Sequence, residues 1–261
     1  MTFAGKFVAV TGAAGGIGQA LCRHFGREGA KIGAVDRSPA VHDFVAAVAK
    51  EGIAAEAEVA DVGDPEGVAR AFAVLTARLG AVDILVNNAG FSNHPTLAQT
   101  NPAGWRDELN GNLNGAYNCA YAVLPGMRER GGGVIINIGS VNGLAALGDP
   151  AYSAAKAGMI SLTRSLALEY GRYGVRVNIV LPGTVRTPIW TERTKKDPKV
   201  LATIERWYPL RRIVEPEDVA RAVAFLASEN AAAITGAALP VDCGLTAGNI
   251  VMARELTLED L

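Results

Sequence analysis

Short runs of apolar, largely β-branched residues alternate with longer helix-like patterns over most of this chain, up to about Gly183. The runs are apolar on both faces, which is typical of strands in a parallel sheet that helices cover on both sides. The predicted strands are Phe7–Val10, Lys31–Val35, Ala55–Val59, Ile84–Val86, Val134–Ile138, Val175–Val180 and Ala238–Val241. The predicted helices are Gly16–Glu28, Val41–Lys50, Pro65–Leu79, Pro102–Arg130, Tyr152–Tyr173 and Pro216–Ser228.

Turn and cap residues support these bounds. Asp64 before Pro65 predicts a helix start with a capping carboxylate and a proline at the first helical position. The run 131–133 is all glycine and predicts a helix end just before a strand. The unbroken alternation predicts an α/β fold, a single Rossmann-type doubly wound parallel sheet flanked by helices on both faces, in one domain over residues 1–261. Residues 184–215 follow a strand end and lack clear sheet elements, so we expect a substrate lid there.

Composition and charge exclude several classes of protein. The 261 residues are 49% hydrophobic and 20% charged, which excludes a disordered chain. The formal net charge of −1 indicates no nucleic-acid partner, and the longest apolar runs are too short to cross a membrane. Cys22, Cys119 and Cys243 lack CxxC spacing and the first residues lack a signal peptide, so we expect buried thiols in a reducing cytoplasm. The three histidines are isolated in sequence, and no metal site is expected.

A glycine-rich segment follows the first predicted strand and opens the first helix. Glycine permits a tight turn and a close approach to a pyrophosphate, while the helix N-terminus offers free N–H groups to its charge. Because strand, turn and helix come in this order, and an acid closes the second strand, the segment predicts a dinucleotide site. The expected contacts are Gly12, Gly15, Gly16, Ile17 and Gly18.

The acid that closes the second strand is Asp36. A carboxylate there can accept hydrogen bonds from both adenosine ribose hydroxyls and repels a 2′-phosphate, which favours NAD over NADP. Arg37 is also expected to border the cofactor and could hold such a phosphate, so NADP remains the alternative. Further cofactor contacts are expected where the third and fourth strands end, at Asp61, Val62, Asn88, Ala89 and Gly90.

Tyr152 and Lys156 are four residues apart at the start of a predicted helix, so their side chains project from one face. Proton transfer by a tyrosine near neutral pH needs its pKa lowered by about three units, or about 4 kcal/mol. One cation about 4 Å away supplies about that much at an intermediate dielectric. We therefore expect Lys156 to lower the pKa of Tyr152 and make it a general acid/base.

Taken together, the motifs resemble those of the short-chain dehydrogenase/reductase family, and the likeness runs over nearly the whole chain. The pattern T-G-x-x-x-G-x-G lies at residues 11–18 and N-N-A-G at residues 87–90. Ser140, in a Gly-Ser pair past the fifth strand, precedes Tyr152 at the family's spacing. One departure is Gly111, where many relatives place a β-branched residue. Other matching positions are Asn112, Asn178, Pro182, Gly183 and Thr187.

The resemblance implies an NAD(H)-dependent dehydrogenase or reductase that interconverts a secondary alcohol and a ketone by hydride transfer. It implies that Tyr152 exchanges a proton with the substrate oxygen and that Ser140 donates a hydrogen bond to the same oxygen. Lys156 would also hold the nicotinamide ribose, and Asn112 would position a water in a relay from solvent to Lys156. Pro182, Gly183, Val185 and Thr187 would border the cofactor, together with Tyr152 and Lys156.

The substrate is less defined by the sequence. Polar residues beside a tryptophan suit a hydroxylated substrate such as a sugar or polyol, while a hydrophobic ketone or a 3-oxoacyl thioester is the alternative. A non-catalytic nucleotide-sensing protein is a third possibility, but such proteins usually lose the tyrosine or lysine that is present here. Besides Ser140 and Tyr152, the candidate substrate contacts are Ser92, Asn93, His94, Asn142, Asp149, Trp190 and Arg193.

The predicted helix Tyr152–Tyr173 carries many small residues, which permit close helix packing. The family commonly forms tetramers through this helix, so the resemblance implies a homotetramer. The tail, residues 248–261, is amphipathic and is expected to pack on a neighbouring subunit.

Overall fold

Seven parallel strands form one sheet in the order β3-β2-β1-β4-β5-β6-β7. The computed structural model describes residues 2–260, apart from the side chains of residues 189, 192 and 193. The predicted α/β class and doubly wound parallel sheet are confirmed, with every predicted strand present and each end within two residues of its prediction. The strands are β1 Phe7–Thr11, β2 Lys31–Asp36, β3 Ala55–Val59, β4 Ile84–Asn87, β5 Gly133–Ile138, β6 Val175–Pro182 and β7 Ala238–Val241.

Helices cover both faces of the sheet. In β1, Val8 and Val10 face one apolar core with α1, α2 and α9, while Phe7 and Ala9 face a second core with α3, α5 and α6. Both faces of a central strand are therefore buried, as its unbroken apolar run predicted. The helices are α1 Gly16–Arg27, α2 Ala40–Lys50, α3 Pro65–Leu79, α4 Pro102–Leu109, α5 Gly115–Arg130, α6 Pro150–Tyr170, α7 Thr191–Lys196, α8 Val200–Glu205, α9 Pro216–Ala227 and α10 Ile250–Thr257.

The edge strand β3 departs from the prediction that strands are apolar on both faces. Its sequence alternates alanine with Glu56 and Glu58, and Nη1 of Arg78 lies 3.0 Å and 3.6 Å from their carboxylates. Because β3 pairs only with β2, one side of the strand reaches solvent. A charged edge strand also discourages pairing with another chain.

The long helix predicted at Pro102–Arg130 is not continuous. A single π turn at Asn110–Asn114 separates α4 from α5. Within this turn Asn112 is fully buried, and its amide Nδ2 donates to the carbonyl of Glu108 at 2.9 Å. A π turn inserts an extra residue into a helix and often marks a functional position.

The predicted lid, residues 184–215, contains α7, α8 and a short 3₁₀ turn at Pro188–Trp190. Its base is fixed, because Val185 and Val214 form a parallel bridge. The buried Tyr208 accepts a hydrogen bond at its hydroxyl from the Thr184 backbone N–H at 2.8 Å. The segment is thus anchored at both ends, while α7 and α8 lie largely at the surface.

The predicted helix caps are confirmed. Asp64 accepts a hydrogen bond from Glu66 N–H at the start of α3, and Gly131 ends α5 in the left-handed conformation with φ of 67°. Among the thiols, Cys22 and Cys119 are buried, and burial raises the pKa of each to about 12. Cys243 is only partly buried, which corrects the expectation of three buried thiols.

Residues 2–260 contain neither a membrane-spanning helix nor a cluster of metal ligands. No helix within 2–260 is both long and apolar enough to cross a membrane. No group of three or more His, Cys, Asp or Glu side chains in that range is arranged to hold a metal ion.

Candidate active site

The carboxyl ends of the central strands open into a cleft of about 720 Å³. The chain leaves β1 toward β2 and β3 on one side, and returns to β4 on the other side of β1. Such a reversal of strand order leaves a crevice between the diverging connections, and ligands of doubly wound sheets bind there. The topology therefore places the cleft between the glycine-rich turn after β1 and the residues that follow β4.

The N-N-A-G motif holds the glycine-rich turn in place. Thr11 Oγ1 accepts hydrogen bonds from the backbone N–H groups of Asn88 and Ala89, both at 3.0 Å. The Asn88 amide donates to the carbonyls of Thr11 at 2.9 Å and Gly12 at 3.1 Å. Gly12 has a φ of 63°, and a Cβ at this position would lie 2.8 Å from Ala89 Cα, so only glycine fits. Hydrogen bonds thus connect the glycine-rich turn and the N-N-A-G motif where β1 and β4 end.

The residues at this end of the cleft fit a dinucleotide. Helix α1 begins at Gly16 with no side-chain cap, so its first N–H groups are available to an anion. Asp36 accepts hydrogen bonds from Ala14 N–H and Ser38 N–H, each at 2.9 Å, which fixes its carboxylate beside the turn. A Cβ on Gly16 would lie 2.9 Å from Thr187 Cβ, so the residues after β6 close over the same turn.

The structure brings all the sequence-predicted cofactor residues to this cleft, from five different strand ends. They are Gly12, Gly15, Gly16, Ile17, Gly18, Asp36, Arg37, Asp61, Val62, Asn88, Ala89, Gly90, Tyr152, Lys156, Pro182, Gly183, Val185 and Thr187.

Three candidate catalytic side chains meet where β5 ends. Ser140 lies two residues past the strand, and Tyr152 and Lys156 lie on successive turns at the start of α6. Lys156 is 2% exposed, and its Nζ donates to the carbonyl of Ile138 at 2.9 Å. The same Nζ lies 5.4 Å from the centroid of the Tyr152 ring. The hydrogen bond from Lys156 Nζ to the Ile138 carbonyl of β5 therefore fixes how far the ammonium lies from the Tyr152 ring.

Burial shifts the pKa of both groups toward the neutral form. It raises the pKa of the half-buried Tyr152 above its ordinary value, a hydrogen bond from Ser140 opposes the rise, and the charges of Asp149 and Glu108 add to it. Burial lowers the pKa of Lys156 to about 8. The net shift of the Tyr152 pKa is therefore upward, opposite to the expected lowering by Lys156, because desolvation is its largest cause.

A small network surrounds the Ser140 hydroxyl. Ser140 Oγ donates to Asn142 Oδ1 at 3.3 Å and accepts from Asn142 N–H at 3.2 Å. The Asn142 amide donates in turn to Ser153 Oγ at 3.2 Å and to the Gly148 carbonyl at 3.3 Å. The hydrogen bond from Ser140 Oγ to Asn142 Oδ1 is long and therefore weak. A substrate oxygen could replace Asn142 as the acceptor at little cost.

The candidate substrate residues divide into two groups. Asn142, Asp149 and Trp190 line the cleft, as do Ser92, Ser140 and Tyr152. His94 does not: its Nδ1 lies 2.9 Å from Oε1 of Glu108, outside the cleft lining. Asn93 is likewise outside it, and the Arg193 side chain is not among those that the structure describes.

Asn112 lies behind the cleft wall rather than on it. Its Nδ2 donates to the Phe91 carbonyl at 2.8 Å, and its Oδ1 accepts from Phe91 N–H at 3.2 Å. A Cβ on Gly90 would lie 2.5 Å from Asn112 Oδ1 and 3.2 Å from Lys156 Nζ, so the two side chains are close neighbours. Its part in a water relay stays a prediction.

Several cleft residues were missed in the sequence. Phe91 directly follows the N-N-A-G motif, a position that could have indicated it. Leu147 and Leu245 lie in loops with no motif to mark them. Glu108, fully buried behind the cleft, could have been noticed as a carboxylate four residues before Asn112.

Comparisons with known proteins agree with this geometry. The chain matches the family model described as enoyl-(acyl carrier protein) reductase over residues 12–246. An uncharacterized oxidoreductase of Schizosaccharomyces pombe is 43% identical, over 100% of this chain and 98% of that protein. The crystal structure of an oxidoreductase of the short-chain dehydrogenase/reductase family from Burkholderia thailandensis is 52% identical with a TM-score of 0.92, over 98% of each chain. A gluconate 5-dehydrogenase from Burkholderia cenocepacia, in complex with NADP and tartrate, is 33% identical with a TM-score of 0.88, over 94% of this chain and 96% of that one.

Proposed function

We propose a function on the premise that this chain belongs to the short-chain dehydrogenase/reductase family, and is therefore an oxidoreductase that uses a nicotinamide cofactor. We propose that it prefers NAD(H) and interconverts a secondary alcohol and a ketone. The observation that carries the proposal is that Ser140, Tyr152 and Lys156 share one cleft with the glycine-rich turn and Asp36.

The proposed chemistry assigns each side chain one task. When bound, a nicotinamide cofactor would supply the redox chemistry, taking a hydride from the carbinol carbon in oxidation or giving one to the carbonyl carbon in reduction. Tyr152 takes the proton from the substrate hydroxyl during oxidation and returns it during reduction. Ser140 donates a hydrogen bond to the same oxygen and stabilises the charge that develops on it. Lys156, with a pKa of about 8, keeps much of its charge at neutral pH and would hold the nicotinamide ribose.

The preference for NAD rests on Asp36. Its carboxylate is fixed at the end of β2 by two backbone N–H groups and lies where an adenosine ribose would bind. A negative charge there opposes a 2′-phosphate. The Arg37 guanidinium, which could favour such a phosphate, lies 5.0 Å from the Phe91 ring centroid, within cation–π distance. The NADP in the gluconate 5-dehydrogenase relative makes the preference a point to be tested.

For the substrate we propose a sugar or polyol. Ser92, Asn142 and Asp149 provide polar groups beside Trp190 at the reacting end of the cleft. A hydroxylated substrate can hydrogen-bond these groups, whereas an apolar one cannot and would only remove them from solvent, which costs affinity. The tartrate in the gluconate 5-dehydrogenase complex is consistent with this class. The second candidate, a hydrophobic ketone or 3-oxoacyl thioester, is favoured by the apolar Phe91, Leu147 and Leu245 in the same wall and by the description of the matching family model.

A substrate screen with both cofactors tests the proposal. We expect NADH absorbance to appear with NAD and a polyol or sugar, and more slowly with NADP, hydrophobic alcohols or 3-hydroxyacyl thioesters. Tyr152→Phe should lower kcat by at least ~10²–10³-fold while changing the Kd for NADH less than about twofold, because only the proton transfer is lost. Asp36→Asn should raise the relative use of NADP.

Each outcome separates the candidates. Normal turnover by Tyr152→Phe would contradict the mechanism, and turnover of thioesters alone would favour the second substrate class. A wild-type protein that binds NADH but oxidises or reduces no member of the panel would support a non-catalytic nucleotide-sensing role.

A further inference from the structure

Glu108 is a fully buried carboxylate on α4, one helical turn before Asn112. Its Oε1 accepts three hydrogen bonds from the loop that follows β4. The donors are the backbone N–H of Asn93 at 2.9 Å, the backbone N–H of His94 at 3.1 Å, and His94 Nδ1 at 2.9 Å. A single carboxylate oxygen thus holds two consecutive residues of this loop.

Asn112 holds the preceding part of the same loop through both backbone groups of Phe91. Its Nδ2 also donates to the backbone carbonyl of Glu108, so the Asn112 side chain ties this loop to α4. Glu108 and Asn112 together fix the backbone of residues 91–94 at four points, while each stays out of the cleft lining.

The loop bears directly on the reacting end of the cleft. Ser92 Oγ donates to Asp149 Oδ1 at 2.6 Å, and Asp149 N–H donates to the Pro95 carbonyl at 3.0 Å. Asp149 has a left-handed backbone with φ of 49° and directly precedes α6, in which Tyr152 lies in the first turn. The position of residues 91–95 is therefore coupled to the start of the catalytic helix.

This arrangement has a cost in stability. Glu108 Oε2 is buried and accepts no hydrogen bond from any residue in the described part of the chain. A buried carboxylate with an unpaired oxygen is less favourable than an apolar side chain of similar size. Packing alone does not explain why a carboxylate is buried at this position. The three hydrogen bonds that Oε1 accepts from the loop after β4 do explain it.

We propose that Glu108 is a positioning residue for the substrate. It fixes the loop after β4 so that Ser92 meets Asp149, and the two form the wall that faces the substrate next to Tyr152. The cofactor end of the cleft is held separately, by Thr11 and Asn88. Loss of the Glu108 hydrogen bonds should therefore affect the substrate end of the cleft and leave cofactor binding unchanged. The kinetic part of this proposal rests on the function proposed above.

Two variants at one position test this inference. Glu108→Ala removes the acceptor, whereas the carboxamide oxygen of Glu108→Gln can accept the same three bonds. For Glu108→Ala we expect KM for the substrate to rise at least about tenfold, with Kd for NADH changed less than about twofold. For Glu108→Gln, both KM for the substrate and Kd for NADH should stay within about threefold of their wild-type values. Gln99→Ala, exposed in the same connection, is the matched control and should match wild type.

Hydrogen–deuterium exchange of the peptide that carries residues 91–96 gives a second readout that needs no substrate. Exchange should accelerate in Glu108→Ala, and not in Glu108→Gln or Gln99→Ala, because Asn93 and His94 lose their acceptor only in the first. If Glu108→Ala fails to fold, Ser92→Ala should reproduce the rise in KM, and Glu108→Gln still supplies the comparison.

The outcomes are distinct. Unchanged exchange and KM in Glu108→Ala would overturn the proposal. So would a Glu108→Gln variant that keeps slow exchange but raises KM as much as Glu108→Ala does, since the charge and not the hydrogen bonds to the loop would then control substrate binding. If wild type turns over no substrate in the panel, the proposed function fails, while the exchange experiment still decides whether Glu108 holds the loop.

Discussion

Lys156 lies beneath the cleft with 2% of its surface exposed, and one carbonyl, that of Ile138, accepts a hydrogen bond from its ammonium. Burial lowers its pKa to about 8, and burial also raises the pKa of Tyr152. Burial thus shifts both pKa values toward the neutral form, although a Lys156 pKa of about 8 leaves the ammonium mostly charged at pH 7. A bound cation or an added hydrogen bond near Tyr152 would therefore have a large effect on its proton affinity.

The Lys156 pKa predicts how stability depends on pH. An unfolded lysine has a pKa of about 10.4, so between about pH 8 and 10.4 the unfolded chain binds more protons than the folded one. The free energy of unfolding of wild type, relative to Lys156→Met, should therefore rise by about 1–2 kcal/mol from pH 7 to pH 9.5. Urea unfolding of both proteins at the two pH values measures this. A constant difference would show that Lys156 is not desolvated in the fold.

The residues of the site were predictable to different degrees. Asp36 and the glycines near it could be placed because their roles follow from a local strand, turn and helix. The neighbours of Glu108 could not, since its contacts with Asn93 and His94 depend on how a loop folds back on α4. The pKa direction of Tyr152 was also beyond the sequence, because spacing shows a neighbouring charge but not the loss of water around it.

At the scale of elements, the π turn between α4 and α5 contains Gly111, the one departure from the family pattern. A Cβ on Gly111 would clash with the Phe91 ring, so this turn has no room for the β-branched side chain that many relatives carry. The pattern of apolar residues predicted one long helix because a π turn leaves helical periodicity on either side nearly intact. The bounds of most other helices followed from caps such as Asp64 and Gly131, whose chemistry is local.

Gly111 and Phe91 should therefore be energetically coupled. Gly111→Ala is expected to destabilise the protein by about 1–3 kcal/mol through overpacking. In a Phe91→Ala background the same change should cost less, with a coupling energy of about 0.5–3 kcal/mol in urea unfolding. Gly126→Ala in α5, where a Cβ would meet only the flexible end of Arg130, serves as the control and should be neutral or stabilising. Additive effects at positions 91 and 111 would contradict the contact.

At the scale of the whole molecule, large apolar side chains are exposed on the outer faces of α5 and α6. Tyr117, Tyr121 and Leu168 are 50%, 68% and 86% exposed, and the two tyrosine rings lie 5.9 Å apart. Ala154 and Ser161, two small residues that allow close approach, are exposed on the same side of α6 as Leu168. We propose that these helices form the interface of the homotetramer implied by the family.

Light scattering coupled to gel filtration tests the assembly. We expect a mass of four times 27.1 kDa for the wild type. The double variant Tyr121→Glu with Leu168→Glu should form smaller species, because it places charges in the centre of the proposed interface. A wild-type mass of 27.1 kDa would refute the tetramer, and an unchanged mass in the double variant would place the interface elsewhere.

The order of the strands also affects how the chain folds while it is being synthesised. Strand β4 follows β3 in sequence but pairs with β1, where Val10 aligns with Val86. During synthesis one edge of β1 has no partner until the chain as far as Val86 has left the ribosome. At about 5–20 residues per second, this interval lasts roughly 4–15 seconds. Open strand edges are templates for wrong pairing, so the nascent protein is exposed to aggregation during these seconds.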